Sequence, residues 1–398
     1  MLAVSGYRYF ACNRLLATLI SKVASAKPFL QEYRAFSVLE MYFMGLRRRL
    51  LFLACVSAVA LRVGAQTHLQ EFATTVVARA DENLGESCTF KMTIPAPDKP
   101  VRAVWLTYDR GFDIMKYYDD PTVVTFAQRH EIALVLAHQC PAKDPPTRET
   151  GEMDMDVSRG VARSIDAALD DFGKQSGHPE IAGAKLIVLG FSGMGAMFAQ
   201  YVTYNPSRVL AAILANPGQG VPYGMETVNL SDQASAVPQF IIVGAIDGRG
   251  GTQRPYEYFH RHWVRGAPWT FLVQNGIPHC CVINVKALIL DWLDEVIRRR
   301  KSSSGSFDAK IDTHRGWTGF IRTCSSERTD SFKEHLWNAC AASIKSVGSK
   351  SPADEIPAAW LPSRRVAVEW LAFIKQKEHP ENSFPDGLDA AHSKFAIH

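Results

Sequence analysis

Seven short apolar runs punctuate the middle of the chain, at 88–94 (CTFKMTI), 101–107 (VRAVWLT), 132–137 (IALVLA), 185–190 (KLIVLG), 210–214 (LAAIL), 239–244 (QFIIVG) and 269–274 (WTFLVQ). Most of the later runs are continuously apolar and do not alternate with polar residues, which predicts strands covered on both faces. Segments with a different period lie between them. Val157, Val161, Ile165, Ala168, Leu169 and Phe172 recur at three- and four-residue steps, the spacing of one helix face. Residues 282–300 repeat that spacing with Leu288, Leu290, Leu293 and Val296, and end in the basic run Arg298 to Lys301, where positive charge suits a helix C-terminus. Strands alternating with helices predict an α/β architecture: a mostly parallel sheet of about seven to eight strands with helices on both faces.

The ends of the chain follow other patterns. Arg47, Arg48 and Arg49 precede an unbroken apolar run at 50–61 (LLFLACVSAVAL), and the small residues Gly64 and Ala65 follow it. A charged start, a short apolar run and a small-residue cleavage site describe a secretory signal peptide over 44–65. The run is shorter than the roughly 20 residues a bilayer requires, so no stable membrane insertion is expected after cleavage. Met41 and Met44 are candidate initiators, which would leave residues 1–40 outside the protein proper. At the other end, Ser302-Ser303-Ser304-Gly305-Ser306 breaks the pattern, and the remainder is more polar, with one clear helical stretch at 364–375 (RRVAVEWLAFIK). The expected organisation is an N-terminal extension with signal peptide at 1–65, a catalytic α/β domain at 66–301, and a mainly helical appendage at 302–398.

Charge and cysteine usage refine this picture. The net charge of +4 comes from the front: residues 1–65 hold nine Lys and Arg against two Asp and Glu, leaving 35 basic against 38 acidic side chains in the rest. A slightly acidic body gives no footprint for phosphate backbones, so no nucleic-acid partner is expected. Neither a Walker loop nor G-x-G-x-x-G occurs, and the cysteines lack zinc-ligand spacing; the site is expected to need no cofactor and no metal. A secreted or periplasmic setting would let Cys88, Cys140, Cys280, Cys281, Cys324 and Cys340 pair. Cys324 with Cys340 is the favoured local pair and Cys88 with Cys140 a second candidate. Cys280 and Cys281 read equally well as a disulfide or as two buried thiols.

The chemistry concentrates at 185–201, KLIVLGFSGMGAMFAQY. A buried strand ends at Gly190, Ser192 follows two residues on, and an apolar helical pattern starts at once. Such a tight strand–serine–helix turn projects the hydroxyl above the sheet edge, beside the positive end of a helix. Gly190-Phe191-Ser192-Gly193-Met194-Gly195 resembles the nucleophile elbow G-x-S-x-G of the α/β-hydrolase family, closest to esterases and to polyester-depolymerase or dienelactone-hydrolase-like members. Met194 departs from that motif, since glycine arrives one position late at Gly195, and a large side chain there would be expected to crowd the turn. The resemblance covers roughly residues 88 to 300. It implies the chain order Ser, Asp, His, each after its own strand, and this sequence supplies Asp247 after 239–244 and His279 after 269–274.

The resemblance implies a role for each residue. Ser192 attacks a carbonyl carbon, His279 carries the proton, and Asp247 orients the imidazole. The Gly193 N–H is one oxyanion donor, and the backbone of Asp109 or Arg110 is the second. The expected activity is hydrolysis of a small-molecule or polymeric carboxylic ester. A hydrolase fold that has lost catalysis and serves for binding is a second reading, with Met194 as its warning sign; a serine peptidase or acyltransferase is a third. Elsewhere, His260 and His262 read as surface or capping residues, and His138 as a packing residue near the cleft. Asp291 and Asp294 lie on a helix beyond His279, the wrong place for the acid.

Overall fold

The computed structural model describes residues 69–85, 87–108, 114, 116–138, 140, 143, 157–217, 230–325 and 336–376. All belong to one compact unit, Thr67–His398; the expected signal peptide and N-terminal extension lie outside the described residues.

Eight strands form the first part of the sheet, the last seven of them at the apolar runs: β1 (Gln70–Val76), β2 (Cys88–Ile94), β3 (Ala103–Tyr108), β4 (Ile132–His138), β5 (Lys185–Phe191), β6 (Val209–Ala215), β7 (Gln239–Gly244) and β8 (Trp269–Gln274). They lie in the order β1-β2-β4-β3-β5-β6-β7-β8. Strands β1 and β2 pair antiparallel, as do β2 and β4, and every pairing from β4 through β8 is parallel. Each residue of β3, β6, β7 and β8 is buried, so these strands are covered on both faces, as their unbroken apolar character requires. The expected α/β fold class is the one observed. Strand β1, QEFATTV, exposes most of its residues at the sheet edge and carries little apolar signal, which is why the hydrophobic pattern passes over it.

Helices α1 (Pro121–His130), α2 (Ala162–Ser176), α3 (Gly193–Tyr204) and α4 (Gln253–Trp263) lie in the crossovers between parallel strands, and α5 (Lys286–Arg300) follows β8. Local chemistry sets their ends. Asp120 caps α1 by accepting from the N–H groups of Thr122 and Val123, Pro121 supplies the first turn, and Glu131 closes it at φ 59°. The central helix α3 buries residues around most of its circumference, including Met194, Met197, Phe198 and Tyr201, and packs on β5 and β6.

Beyond Ser302–Ser306 the sheet continues. Strand β11 (Ile356–Leu361) pairs with β8, then β9 (Trp317–Ser325) and β10 (Trp337–Ser346) complete an eleven-stranded sheet through antiparallel neighbours. The expected C-terminal helix is present as α6 (Arg364–Lys375), capped by the Ser363 hydroxyl. The described part of this segment is thus mixed, with three strands beside its helix, where a mainly helical appendage was expected. The reason is physical: β9 and β10 are only half-buried and mix Arg, Thr, Ser and Lys with their apolar residues, so no continuous apolar run announces them. Trp370 of α6 is fully buried, and a β-carbon at Gly319 of β9 would stand 2.7 Å from its ring; that glycine lets helix and strand meet.

Cys88–Cys140, Cys280–Cys281 and Cys324–Cys340 are all disulfide-bonded. Among the described residues no helix is long and apolar enough to cross a membrane.

Candidate active site

The site starts from a backbone the chain must be forced into. Ser192, between β5 and α3, has φ 56° and ψ −125°, a sparsely populated region for a residue with a side chain. Such a conformation costs about 1–3 kcal/mol and persists only where its surroundings over-determine it. They do so here. The Ser192 N–H donates to the Ala215 carbonyl at 2.9 Å, tying the turn to the end of β6. Its own carbonyl accepts from Gly195 at 2.9 Å and starts the helix. Gly190 makes room: a β-carbon there would lie 2.6 Å from both the Met194 carbonyl carbon and the Phe198 ring.

Met194 is accommodated in the core: it is almost wholly buried and belongs to the cluster of buried apolar residues. The close approach falls one residue later, where a β-carbon on Gly195 would stand 3.1 Å from Pro217 Cα and 3.2 Å from the Gly190 carbonyl oxygen. The shifted glycine of the sequence therefore sits where the start of the helix closely approaches Pro217 and the end of β5.

Two further strand ends supply the partners. His279 follows β8, and Asp247 follows β7. Backbone bonds zip the two loops together, Ala245 N–H to the Gln274 carbonyl at 2.9 Å and Ile246 N–H to the Ile277 carbonyl at 3.0 Å. Gly244 allows this, because a β-carbon there would collide with the carbonyl oxygens of Ile277 and Pro278. The result is a continuous array. His279 Nε2 lies 2.9 Å from Ser192 Oγ, and His279 Nδ1 lies 2.7 Å from Asp247 Oδ2. The structure thus brings together the three side chains that the sequence nominated.

Asp247 has 0% of its surface exposed, yet four donors surround its carboxylate. The N–H groups of Arg249 and Gly250 each donate to Oδ1 at 2.8 Å; Asn216 Nδ2 donates to Oδ2 at 3.0 Å, beside the imidazole. Burial alone would push this carboxyl up, but the His279 charge and these hydrogen bonds overcome it and hold the group below the usual carboxylate range. An ionised carboxylate only accepts, so Nδ1 of His279 carries the proton it shares with Asp247. In the neutral ring Nε2 is then an acceptor aimed at the Ser192 hydroxyl. A hydroxyl whose proton has a waiting acceptor, at a helix N-terminus, is equipped for nucleophilic attack.

Gly193 is the first residue of α3, so its N–H lies outside the helix ladder on the serine's side of the turn. Asp109 and Arg110, nominated for the second oxyanion donor, lie outside the described residues, just past the end of β3 at Tyr108. Sequence reasoning missed Asn216 and Gly250. Asn216 is the first polar residue after the wholly apolar β6, at φ 43°, and that position at a strand's carboxyl end was the available signal.

The remaining candidates stand apart. His262 is buried against Ser235, its Nδ1 3.1 Å from the hydroxyl, so it is a core residue where a surface or capping role was expected. The His260 ring stacks on Tyr256. His138 ends β4 and lines a surface cavity with Glu71, Lys91 and Tyr118. Asp291 pairs with Arg365, and Asp294 with His130. Among the described residues no three His, Cys, Asp or Glu side chains group to hold a metal ion.

No family model and no curated protein matches this sequence. Solved structures do. A ferulic acid esterase aligns at 14% identity over 58% of this chain and 99% of its own, with a TM-score of 0.43. S-formylglutathione hydrolase from Staphylococcus aureus aligns at 11% identity over 57% and 99%, with a TM-score of 0.38. An esterase of Pyrobaculum calidifontis aligns at 14% identity over 66% and 89%, with a TM-score of 0.35. At such identities and scores these likenesses decide nothing about the reaction, which is read from the side chains themselves.

Proposed function

We infer that this chain is a serine hydrolase that cleaves carboxylic esters through an acyl-enzyme, with Ser192 as nucleophile, His279 as general base and acid, and Asp247 as its orienting carboxylate. The observation that carries this reading is the array itself: contacts of 2.9 and 2.7 Å join a hydroxyl, an imidazole and a carboxylate, and the hydroxyl sits on a strained turn. Ser192 Oγ bonds to the ester carbonyl carbon while His279 Nε2 takes the hydroxyl proton. The oxyanion that forms is stabilised by the Gly193 N–H and a second donor, for which the backbone of Asp109 or Arg110 is the proposal. The carbon–oxygen bond to the leaving group then breaks, and His279 returns the proton to the departing alkoxide. Water, deprotonated by His279, releases the acid and restores the serine.

The substrate class proposed is a small-molecule or polymeric carboxylic ester. Residues 44–65 act as a signal peptide in this reading, and the mature chain works outside the cytosol. Three disulfides support that setting, since such bonds persist in oxidising compartments. The test is product analysis with aryl esters, a peptide amide and an acyl acceptor, using wild type and Ser192→Ala. Serine-dependent release of acid from esters alone is expected. Amide cleavage, or transfer in preference to hydrolysis, would reassign the reaction; turnover undiminished in Ser192→Ala would overturn the mechanism.

A further inference from the structure

The strands that follow the parallel sheet reach back to both loops of the array. Asn275, the first residue after β8, opens the loop that ends at His279. Its Nδ2 donates to the carbonyls of Ala339 and Ile374, each at 3.0 Å, and its Oδ1 accepts from the Ala339 N–H at 2.9 Å. Ala339 sits where the β9–β10 register shifts, so the side-chain amide stands in for a neighbouring strand at the irregular point of β10. Two residues earlier, β10 grips the other loop. The Trp337 N–H donates to Thr252 Oγ1 at 2.9 Å, and its indole N–H donates to Gln253 Oε1 at 3.0 Å, just past the turn that holds Asp247.

One short stretch of β10 thus fastens the histidine loop and the acid loop to the same frame, and α6 is joined to it through Ile374. An amide with three backbone partners at this point is more than packing needs. Leucine would fill the volume, whereas only asparagine offers two donors and an acceptor here.

We propose that Asn275 is a positioning residue, which holds the His279 imidazole against Asp247 and Ser192 by fastening its loop to β10 and α6. The C-terminal strands are, on this view, the frame of the array. The proposal rests on the reading of that array as catalytic. It acts through His279, so its signature is a loss of turnover without loss of substrate binding.

The experiment uses the full chain with 15N-labelled histidine. It follows the downfield Nδ1–H resonance of His279, the kcat and KM for p-nitrophenyl acetate, and the Tm. Asn275→Leu and Asn275→Asp are compared with Thr270→Val, which removes a bond from β8 to the Trp360 carbonyl of β11 and touches neither loop. Asn275→Leu should lower kcat by ~10-fold or more while KM stays within about twofold, and should broaden or abolish the resonance. Asn275→Asp keeps the acceptor but turns a carboxylate toward two carbonyls, and should do the same if the leucine variant fails to fold. Thr270→Val should lower Tm and leave kcat and the resonance intact. Variants of Asn275 that lower Tm alone would overturn the proposal. A wild-type protein that shows the resonance but hydrolyses no ester would defeat the functional reading, and the resonance would still decide the role of Asn275. Absence of both would defeat the two together.

Discussion

Gly250 stands so close to Asp247 that its N–H donates to Oδ1 at 2.8 Å, while a β-carbon in its place would lie 2.6 Å from Oδ2. The position cannot carry a side chain without moving the carboxylate that His279 depends on. Gly250→Ala should therefore lower kcat by ~10- to 100-fold and cost about 1–3 kcal/mol of stability. Steady-state kinetics with an aryl ester and a urea melt check both; wild-type kcat in this variant would show that Asp247 is not held where the account needs it.

Asp247→Asn keeps a side-chain oxygen for the Arg249 and Gly250 N–H groups but presents an amide, not a carboxylate, to the imidazole. The expected loss is ~10⁴-fold in kcat, through the wrong imidazole tautomer, with the fold retained. Circular dichroism alongside kinetics separates this from unfolding.

Met194 departs from the elbow motif in the sequence, yet in the structure it is a core residue. Met194→Ala should destabilise the protein by about 2–5 kcal/mol by opening a cavity, while the surviving folded fraction still reacts with a serine-directed probe. Faster reaction without loss of stability would mean that methionine does obstruct the turn.

Glu369 of α6 lies beside Asp291 of α5, and its burial, with that second carboxylate close by, raises its carboxyl to about 7. A raised acid binds its proton more readily folded than unfolded. Its stabilising effect is present below the ordinary value near 4.5 and is lost as pH rises to about 7. Wild-type Tm should fall across that window, and Glu369→Gln should remove this part of the fall, leaving the variant the more stable above pH ~8. Parallel Tm curves for the two proteins would contradict the assignment.

Much of this was legible in the chain because burial writes itself into apolar runs. The runs at 88–94, 239–244 and 269–274 coincide with β2, β7 and β8, and the residues just past β5, β7 and β8 proved to share one hydrogen-bonded array. The half-exposed strands were not legible. The alternating, polar β1 and the mixed β9 and β10 give no continuous signal, so the sheet's extension from eight strands to eleven went unseen. Asn216 showed only its position at the carboxyl end of β6, and Asn275 showed nothing, because its role is set by the backbone groups that folding brings to it. The burial of His262 against Ser235 likewise depends on a contact between distant segments.

The most direct test of the central claim is the site of a covalent adduct. Wild-type protein treated with a fluorophosphonate and digested should show the label by mass spectrometry on the peptide containing Ser192, at one equivalent per chain, with none on Ser192→Ala. A folded wild-type protein that takes no label, or takes it at another residue, would contradict the account.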